Sequence, residues 1–396
     1  MPDTGVHYID EVDIHDQQIL LRDDLNVSMN KDSTIADDAR LKQSLPTIKF
    51  LLEKNNRLIV MSHLGRPKNK EPEFSLKPVA EKMQSYLPGY TVTIVPDFTT
   101  ADPAIFANQK LNEILMLENI RYYAQEKSND PEFVKKLASF GQVYVNDAFG
   151  VCHRADASVV GLPGVLPAYG GLLLKKEVTM ISRIIQNPAK PVVAILGGAK
   201  ISTKINLIGR LMEVADYLLI GGGLANTFLS AQGLEIGKSF IEYDKVENAR
   251  RLLFDAAQKH TAIMLPSDVI VGNPDDKETG GILKKINELG KEDQILDLGP
   301  ETQAKYGAVI AKAHMIVWNG PVGFIENAKY KLGTDFIYYA ITQNAEATSI
   351  VGGGDTLAAI SKDEYLDKIT HISTGGGAML EFIEKGTLPG IEALKK

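Results

Sequence analysis

At 396 residues the chain is long enough for two or three domains, and 44% apolar residues supply a full core. A net charge of -7 excludes broad contact with nucleic-acid phosphates, so any anion site must be local. No apolar run reaches the ~18 residues of a bilayer helix. The opening residues carry no secretory pattern, and the lone Cys152 excludes an internal disulfide or a multi-cysteine metal centre, so a cytoplasmic protein is expected.

Short apolar strands alternate with helical patterns throughout. QILLR (18–22), RLIVM (57–61), YTVTIV (90–95), ILML (114–117) and VYV (143–145) read as buried strands. Between them, 40–52 places Leu41, Leu45, Ile48 and Leu52 at helical spacing, with Pro46 expected to kink or delay the helix; 75–87 repeats the pattern. GLPGVLPAYGG reads as a boundary, followed by a connecting helix over 172–188. The alternation resumes with VVAIL (192–196), YLLI (217–220), AIML (262–265), MIVW (315–318) and TSIV (348–351). The expected fold is α/β: two doubly wound, Rossmann-like parallel-sheet domains, 1–171 and 189–381, joined by a hinge with that helix.

In open parallel sheets ligands gather at the carboxyl ends of strands. In the first half those ends carry Arg22, Asp24 and Asn26, then His63 and Arg66 of SHLGRP, then Arg121 and Arg154. Several guanidinium groups at one edge of an acidic protein point to a pocket for a small, multiply charged anion, although any one of them alone reads better as a solvated ion pair.

In the second half, ILGGAKISTKINLIG runs through Gly197 and Gly198 towards a helix. Lys200 and Lys204, four apart, are expected on one face of its first turn, with the glycine N–H groups exposed to phosphate. GLEIGKS (233–239) lacks the first glycine of a phosphate-binding loop, and GGGLAN (221–226) has Asn226 where a dinucleotide fingerprint needs a third glycine. In TSIVGGGDTLAAI, Gly352, Gly353 and Gly354 let the main chain approach phosphate oxygens, and Asp355 supplies a carboxylate for Mg²⁺. ISTGGGAML repeats the turn without the acid.

The blocks RDDLNVS, DDARL, SHLGRP, LENIRYYAQE, NDAFGVCHRADAS, ILGGAKISTKI, WNGPVGFIE, SIVGGGDTLAAI and ISTGGGAMLEFIEKGTLPGI, in this order, resemble the phosphoglycerate kinase family along essentially the whole chain. The resemblance implies reversible phosphoryl transfer between 1,3-bisphosphoglycerate and MgADP, with the triose on the N-terminal domain, the nucleotide on the C-terminal domain and closure about a hinge. It implies triose contacts from Asp24, Asn26, Arg40, His63, Leu64, Gly65, Arg66, Arg121 and Arg154. Gly197, Lys204, Glu326, Gly353, Gly354, Asp355 and Thr356 would hold the nucleotide, with Mg²⁺ on Asp355. Arg40, Lys200 and Gly376 would stabilise the phosphoryl group in flight. A C-terminal tail from about 382 would return to the N-terminal domain, and a monomer acting on small molecules, without nucleic acid or membrane, is expected.

Asp23, Leu25 and Ser28 depart from the family's usual valine, phenylalanine and proline, Asp156 stands where histidine is frequent, and Thr203 where an acid is common. Asp23 and Asp156 are expected to add negative charge near the anion site. Two other readings remain open on the residues alone: a kinase of another small acid, and a nucleotide-binding protein without catalysis. A nicotinamide-dependent oxidoreductase conflicts with the failed fingerprint.

Overall fold

A computed structural model describes residues 5–276, 278–360 and 363–395, without the side chains of Asp355 and Asp363. The chain divides into two compact units, Met1–Thr179 with Thr387–Lys396, and Met180–Gly386. The division falls within the helix Leu172–Ile185, between Thr179 and Met180.

Near-continuous runs of aliphatic residues, many β-branched, suit strands covered on both faces. The first unit accordingly builds a six-stranded parallel sheet in the order Thr91–Val95, Glu113–Leu117, Arg57–Met61, Gln18–Arg22, Val143–Asn146, Ala168–Gly170. Helices Ala39–Glu53 and Lys77–Tyr86 cover it, burying Leu41, Ile48, Leu51, Val79 and Met83 against Ile19, Leu21, Leu58 and Val60. Pro46 does not delay the first helix, which already begins at Ala39. Proline in a helix interior costs about 3 kcal/mol. Burying Leu41, Ile48, Leu51 and Leu52 at roughly 1.5–3 kcal/mol each outweighs it. The glycine- and proline-rich boundary stretch contributes the sixth strand, too short and too flanked by breakers to show periodicity.

The second unit repeats the plan in the order Ala262–Met264, Tyr217–Ile220, Val192–Leu196, Met315–Asn319, Thr348–Gly352, His371–Ser373. A three-stranded antiparallel sheet of Ile282–Lys285, Asp268–Val271 and Ile295–Leu298 lies outside the sequence expectation. Ile282 and Leu283 are exposed, so that segment has no buried-strand signature. Chain order reverses between Gln18–Arg22 and Val143–Asn146 in one sheet, and between Val192–Leu196 and Met315–Asn319 in the other. At such a switch point adjacent connections leave in opposite directions and open a crevice. Among the described residues, no helix is long and apolar enough to cross a membrane.

Candidate active site

The first-unit crevice is organised by Arg22, the last residue of the central strand, whose guanidinium is fully buried. Its Nε donates to Ser158 Oγ at 2.9 Å, and Ser158 donates from Oγ and N to Glu126 at 2.6 and 3.0 Å. Another arm donates to the Asp23 carbonyl, and a third lies 3.4 Å from His63 Nδ1. Burial first, and then the charges of Arg22, Arg121, Arg154 and Arg40, hold the His63 pKa well below its ordinary value. Four guanidinium groups, Arg22 and Arg40 from one strand connection and Arg121 and Arg154 from two others, therefore act on one imidazole.

Arg40 donates to Asp24 Oδ2, while Asp24 Oδ1, buried, has no hydrogen-bond partner and lies 3.9 Å from His63. Asn26 Oδ1 accepts from Gly65 N at 2.7 Å, and Arg121 donates to the Gly65 carbonyl at 3.1 Å. Gly65 has φ +63° and no room for a side chain, since a Cβ would sit 2.3 Å from Phe74. Asn119 clamps the same turn by donating to the carbonyls of Leu64 and Phe74 at 2.8 and 2.9 Å. Nε and one Nη of Arg121, and Nε of Arg154, are buried without partners. Burial, then Arg154 and Arg22, pull the Arg121 pKa down to about 10. Cationic donors crowded together and left unpaired are what an anionic ligand with several oxygens would complete. Arg66 is exposed on the same turn.

Two charge expectations separate here. Asp156 is buried close enough to Arg121 to offset part of its charge. Asp23 is buried, and burial and then Asp147 raise its pKa well above the ordinary carboxylate value, which works against its charged form.

In the second unit the glycine turns are differently arranged from the sequence expectation. Gly197 N donates to the Asn319 carbonyl at 3.0 Å and Gly198 N to the Pro321 carbonyl at 2.8 Å, so neither N–H is exposed to phosphate. Gly197 instead allows close packing, because a Cβ there would lie 2.0 Å from the Pro321 carbonyl. The following helix starts only at Ile205. Glu242 accepts from Ser202 N and Oγ at 2.9 and 2.5 Å, which holds the preceding residues as a turn. Lys200 and Lys204 are therefore presented by that turn and not by a helix face. Lys200 is exposed; Lys204, almost buried, donates to Asn319 Oδ1 at 2.7 Å.

Asn319 ends its strand and links the neighbouring turn, donating to the Gly352 carbonyl at 2.8 Å. Gly353, at φ +109°, starts the helix Gly354–Ala359. The hydroxyl of Thr356 is committed internally, donating to the Gly352 carbonyl at 2.9 Å and accepting from Gly320 N at 2.8 Å, so only main-chain groups of Thr356 remain for a ligand. The Asp355 side chain lies outside the described residues. A Cβ on Gly376 would sit 2.4 Å from the Gly353 Cα, so the two glycine turns rest directly on each other. Beside them a cleft of about 480 Å³ is lined by Gly198, Gly222, Phe240, Leu296, Val322 and, at its rim, exposed Glu326.

Sequence reasoning missed Asn319, Ser158 and Glu126. Asn319 carried a signal, a polar residue closing an apolar strand. Ser158 and Glu126 reach Arg22 only through tertiary contact.

Clustered buried guanidinium groups in one α/β unit and a glycine-lined cleft in the other suit a phosphotransferase. The sequence profile described as phosphoglycerate kinase matches residues 9–386. The chain is 45% identical to the phosphoglycerate kinase of Koribacter versatilis over 98% of both chains, and 43% identical to that of Dictyoglomus turgidum over 97% of this chain and 96% of its relative. Its fold matches the Coxiella burnetii phosphoglycerate kinase structure with a TM-score of 0.88 at 38% identity, and the Pyrococcus horikoshii structure with 0.85 at 31%, each covering 98% of both chains. The chain belongs to the phosphoglycerate kinase family.

Proposed function

We propose that the chain transfers the acyl phosphate of 1,3-bisphosphoglycerate directly to MgADP, reversibly, giving 3-phosphoglycerate and MgATP. The observation that carries this reading is the set of buried donors of Arg121 and Arg154 left without partners on the unit where Arg22 lies 3.4 Å from His63, which suits an anion bearing both carboxylate and phosphate oxygens. Asp24, Asn26, His63 and the Leu64–Gly65–Arg66 turn would position the triose. Lys204 and the Gly353–Gly354 turn would hold the nucleotide phosphates, and Glu326 the ribose.

The attacking oxygen is ionised in either direction, so no general base is needed. Alignment and charge neutralisation carry the rate, and Arg40, Lys200 and the main chain at Gly376 would supply them around the transferring group. Since no side chain must accept the phosphoryl group, transfer is in line, without a phosphoenzyme.

Mg²⁺ would be held by Asp355 together with the nucleotide phosphates. When bound, it would neutralise phosphate charge. Binding the substrates on separate units implies closure before transfer, which excludes water from a labile acyl phosphate. A cytoplasmic location fits the composition, and a monomer is what the family resemblance implies.

A coupled assay of ATP-dependent phosphorylation of 3-phosphoglycerate with Mg²⁺, on wild type and Lys200→Ala, tests the reading. Activity that falls at least about a hundredfold in a folded variant supports it. A folded, ATP-binding wild type with no turnover overturns it in favour of a non-catalytic nucleotide-binding protein.

A further inference from the structure

Where His63 carries its proton is set by what stands beside Nδ1. That nitrogen lies 3.4 Å from an Nη of Arg22. A guanidinium has five donors and no acceptor, so only a bare Nδ1 can bond it. With a proton on Nδ1, in the imidazolium or in one neutral tautomer, two N–H groups would oppose each other at a ring that is buried. Asp24 offers such a proton no other acceptor: its Oδ1 is 3.9 Å from Nδ1, beyond hydrogen-bond reach, and has no partner. The pKa of His63, lowered by burial and then by Arg22, agrees with a ring that bears a single proton.

Arg22 can make this choice only if its own orientation is fixed. Its Nε donates to Ser158 Oγ at 2.9 Å, so the one hydroxyl proton of Ser158 is free to go to Glu126 Oε1 at 2.6 Å. Ser158 N donates to Glu126 Oε2 at 3.0 Å, and the Tyr144 hydroxyl donates to the Ser158 carbonyl at 2.6 Å, which leaves no polar group of Ser158 uncommitted. The other Nη of Arg22 donates to the Asp23 carbonyl. Arg22, Glu126, Tyr144 and Ser158 are all fully buried. Each guanidinium nitrogen has its own partner, and turning the group would break three bonds in a dry interior.

We propose that Ser158 and Glu126 are positioning residues: through Arg22 they hold His63 in the tautomer with Nδ1 bare and the proton on Nε2, so that Nε2–H is the donor His63 offers the triose. The second half of this statement rests on reading His63 as a triose contact. The first half is a property of the unliganded chain.

Histidine-selective ¹⁵N labelling of the full chain, read by two-bond ring correlations at neutral pH, tests it. The chain has seven histidines, and a His63→Gln sample identifies the signal that disappears. His63 is expected to show a protonated Nε2 and a bare Nδ1; a proton on Nδ1, alone or together with Nε2, overturns the proposal. Addition of 3-phosphoglycerate should shift Nε2. No shift overturns the triose reading and leaves the tautomer standing. In Ser158→Ala the two tautomers should average, and the KM for 3-phosphoglycerate should rise about tenfold with that for ATP unchanged. A folded Ser158→Ala with the wild-type tautomer overturns the positioning role. Should that variant fail to fold, Glu126→Gln, which keeps the volume and loses one acceptor, is read in the same way.

Discussion

Lys204 and Asn319 form a 2.7 Å hydrogen bond that joins the turn before the helix Ile205–Leu211 to a strand end of the second unit, and through Nδ2 Asn319 extends the link to Gly352 at the end of the next strand. One amide thus fixes an ammonium group relative to a glycine turn. Asn319→Ala leaves the buried Gly352 carbonyl short of one donor, and is expected to lower stability by about 1–3 kcal/mol. It should also raise the KM for ATP more than that for 3-phosphoglycerate. Thermal unfolding and the two KM values check this; equal changes in both KM values would show that Asn319 does not act through Lys204.

Gly376 and Gly377 provide a matched pair. A Cβ on Gly376 meets the main chain of Gly353 at 2.4 Å, whereas one on Gly377 has nothing within 4 Å. Gly376→Ala should displace one glycine turn against the other and lower kcat by about a hundredfold, the scale of an ångström's misplacement at a reacting centre. Gly377→Ala should change neither kcat nor stability appreciably. Steady-state kinetics on both variants test the contrast.

Asp156 dilutes the positive field that Arg121 offers an anion. Asp156→Asn keeps the shape and removes the charge. The KM for 3-phosphoglycerate is expected to fall about fivefold at low ionic strength, with a smaller fall at high salt. No change at low salt would show that the charge at this position does not reach the triose site.

Two buried groups give stability opposite pH slopes. His63 has a folded pKa below its unfolded value of about 6.5, so the unfolded chain binds the extra proton and stability is lost as pH falls below about 6.5. Asp297 is raised by burial to about 7, so the folded chain holds the proton; that contribution is full below about pH 4 and is lost as pH rises through 7. In Asp297→Asn the new NH₂ meets an N–H and the variant starts less stable, but its deficit relative to wild type should shrink between pH 4 and 8, by up to roughly 4 kcal/mol. Melting temperatures of both proteins across that range check the sign.

Cys152 sits beside the arginine block yet is fully buried, donating to the Ala148 carbonyl at 3.4 Å, and burial pushes its thiol up to about 12. A thiol reagent at pH 8 should leave the folded chain unmodified and label one thiol after denaturation. Cys152→Ala should lower stability by about 1–2 kcal/mol with kcat intact. Rapid labelling of the native chain would show the thiol to be accessible.

Most strands that carry the site were legible because each is a run of aliphatic residues that ends in, or runs directly into, a glycine or a polar residue, and local composition alone marks such a place. Arg22, Arg121 and Arg154 could be assigned to one edge because parallel strands all present the same end. What each side chain does there was less legible. Gly197 and Gly198 look like free phosphate donors in ILGGAK, but Asn319 and Pro321, more than a hundred residues away, take their N–H groups. Asp23 looks like a solvated charge in RDDLN, but it is buried, and burial and then Asp147 raise its pKa.

The sequence by itself determined the alternation of strands and helices, the family and the set of chemical groups available at the strand ends, because periodicity and residue type are local properties. Only the tertiary structure decided which groups are paired and which are left over. Arg22 is balanced by Glu126 through Ser158, Thr356 is committed to Gly320 and Gly352, and Oδ1 of Asn226 and Nε of Arg121 remain buried without partners. Hydrogen bonding and desolvation depend on what lies within a few ångströms in space, and residues that close come from segments far apart along the chain.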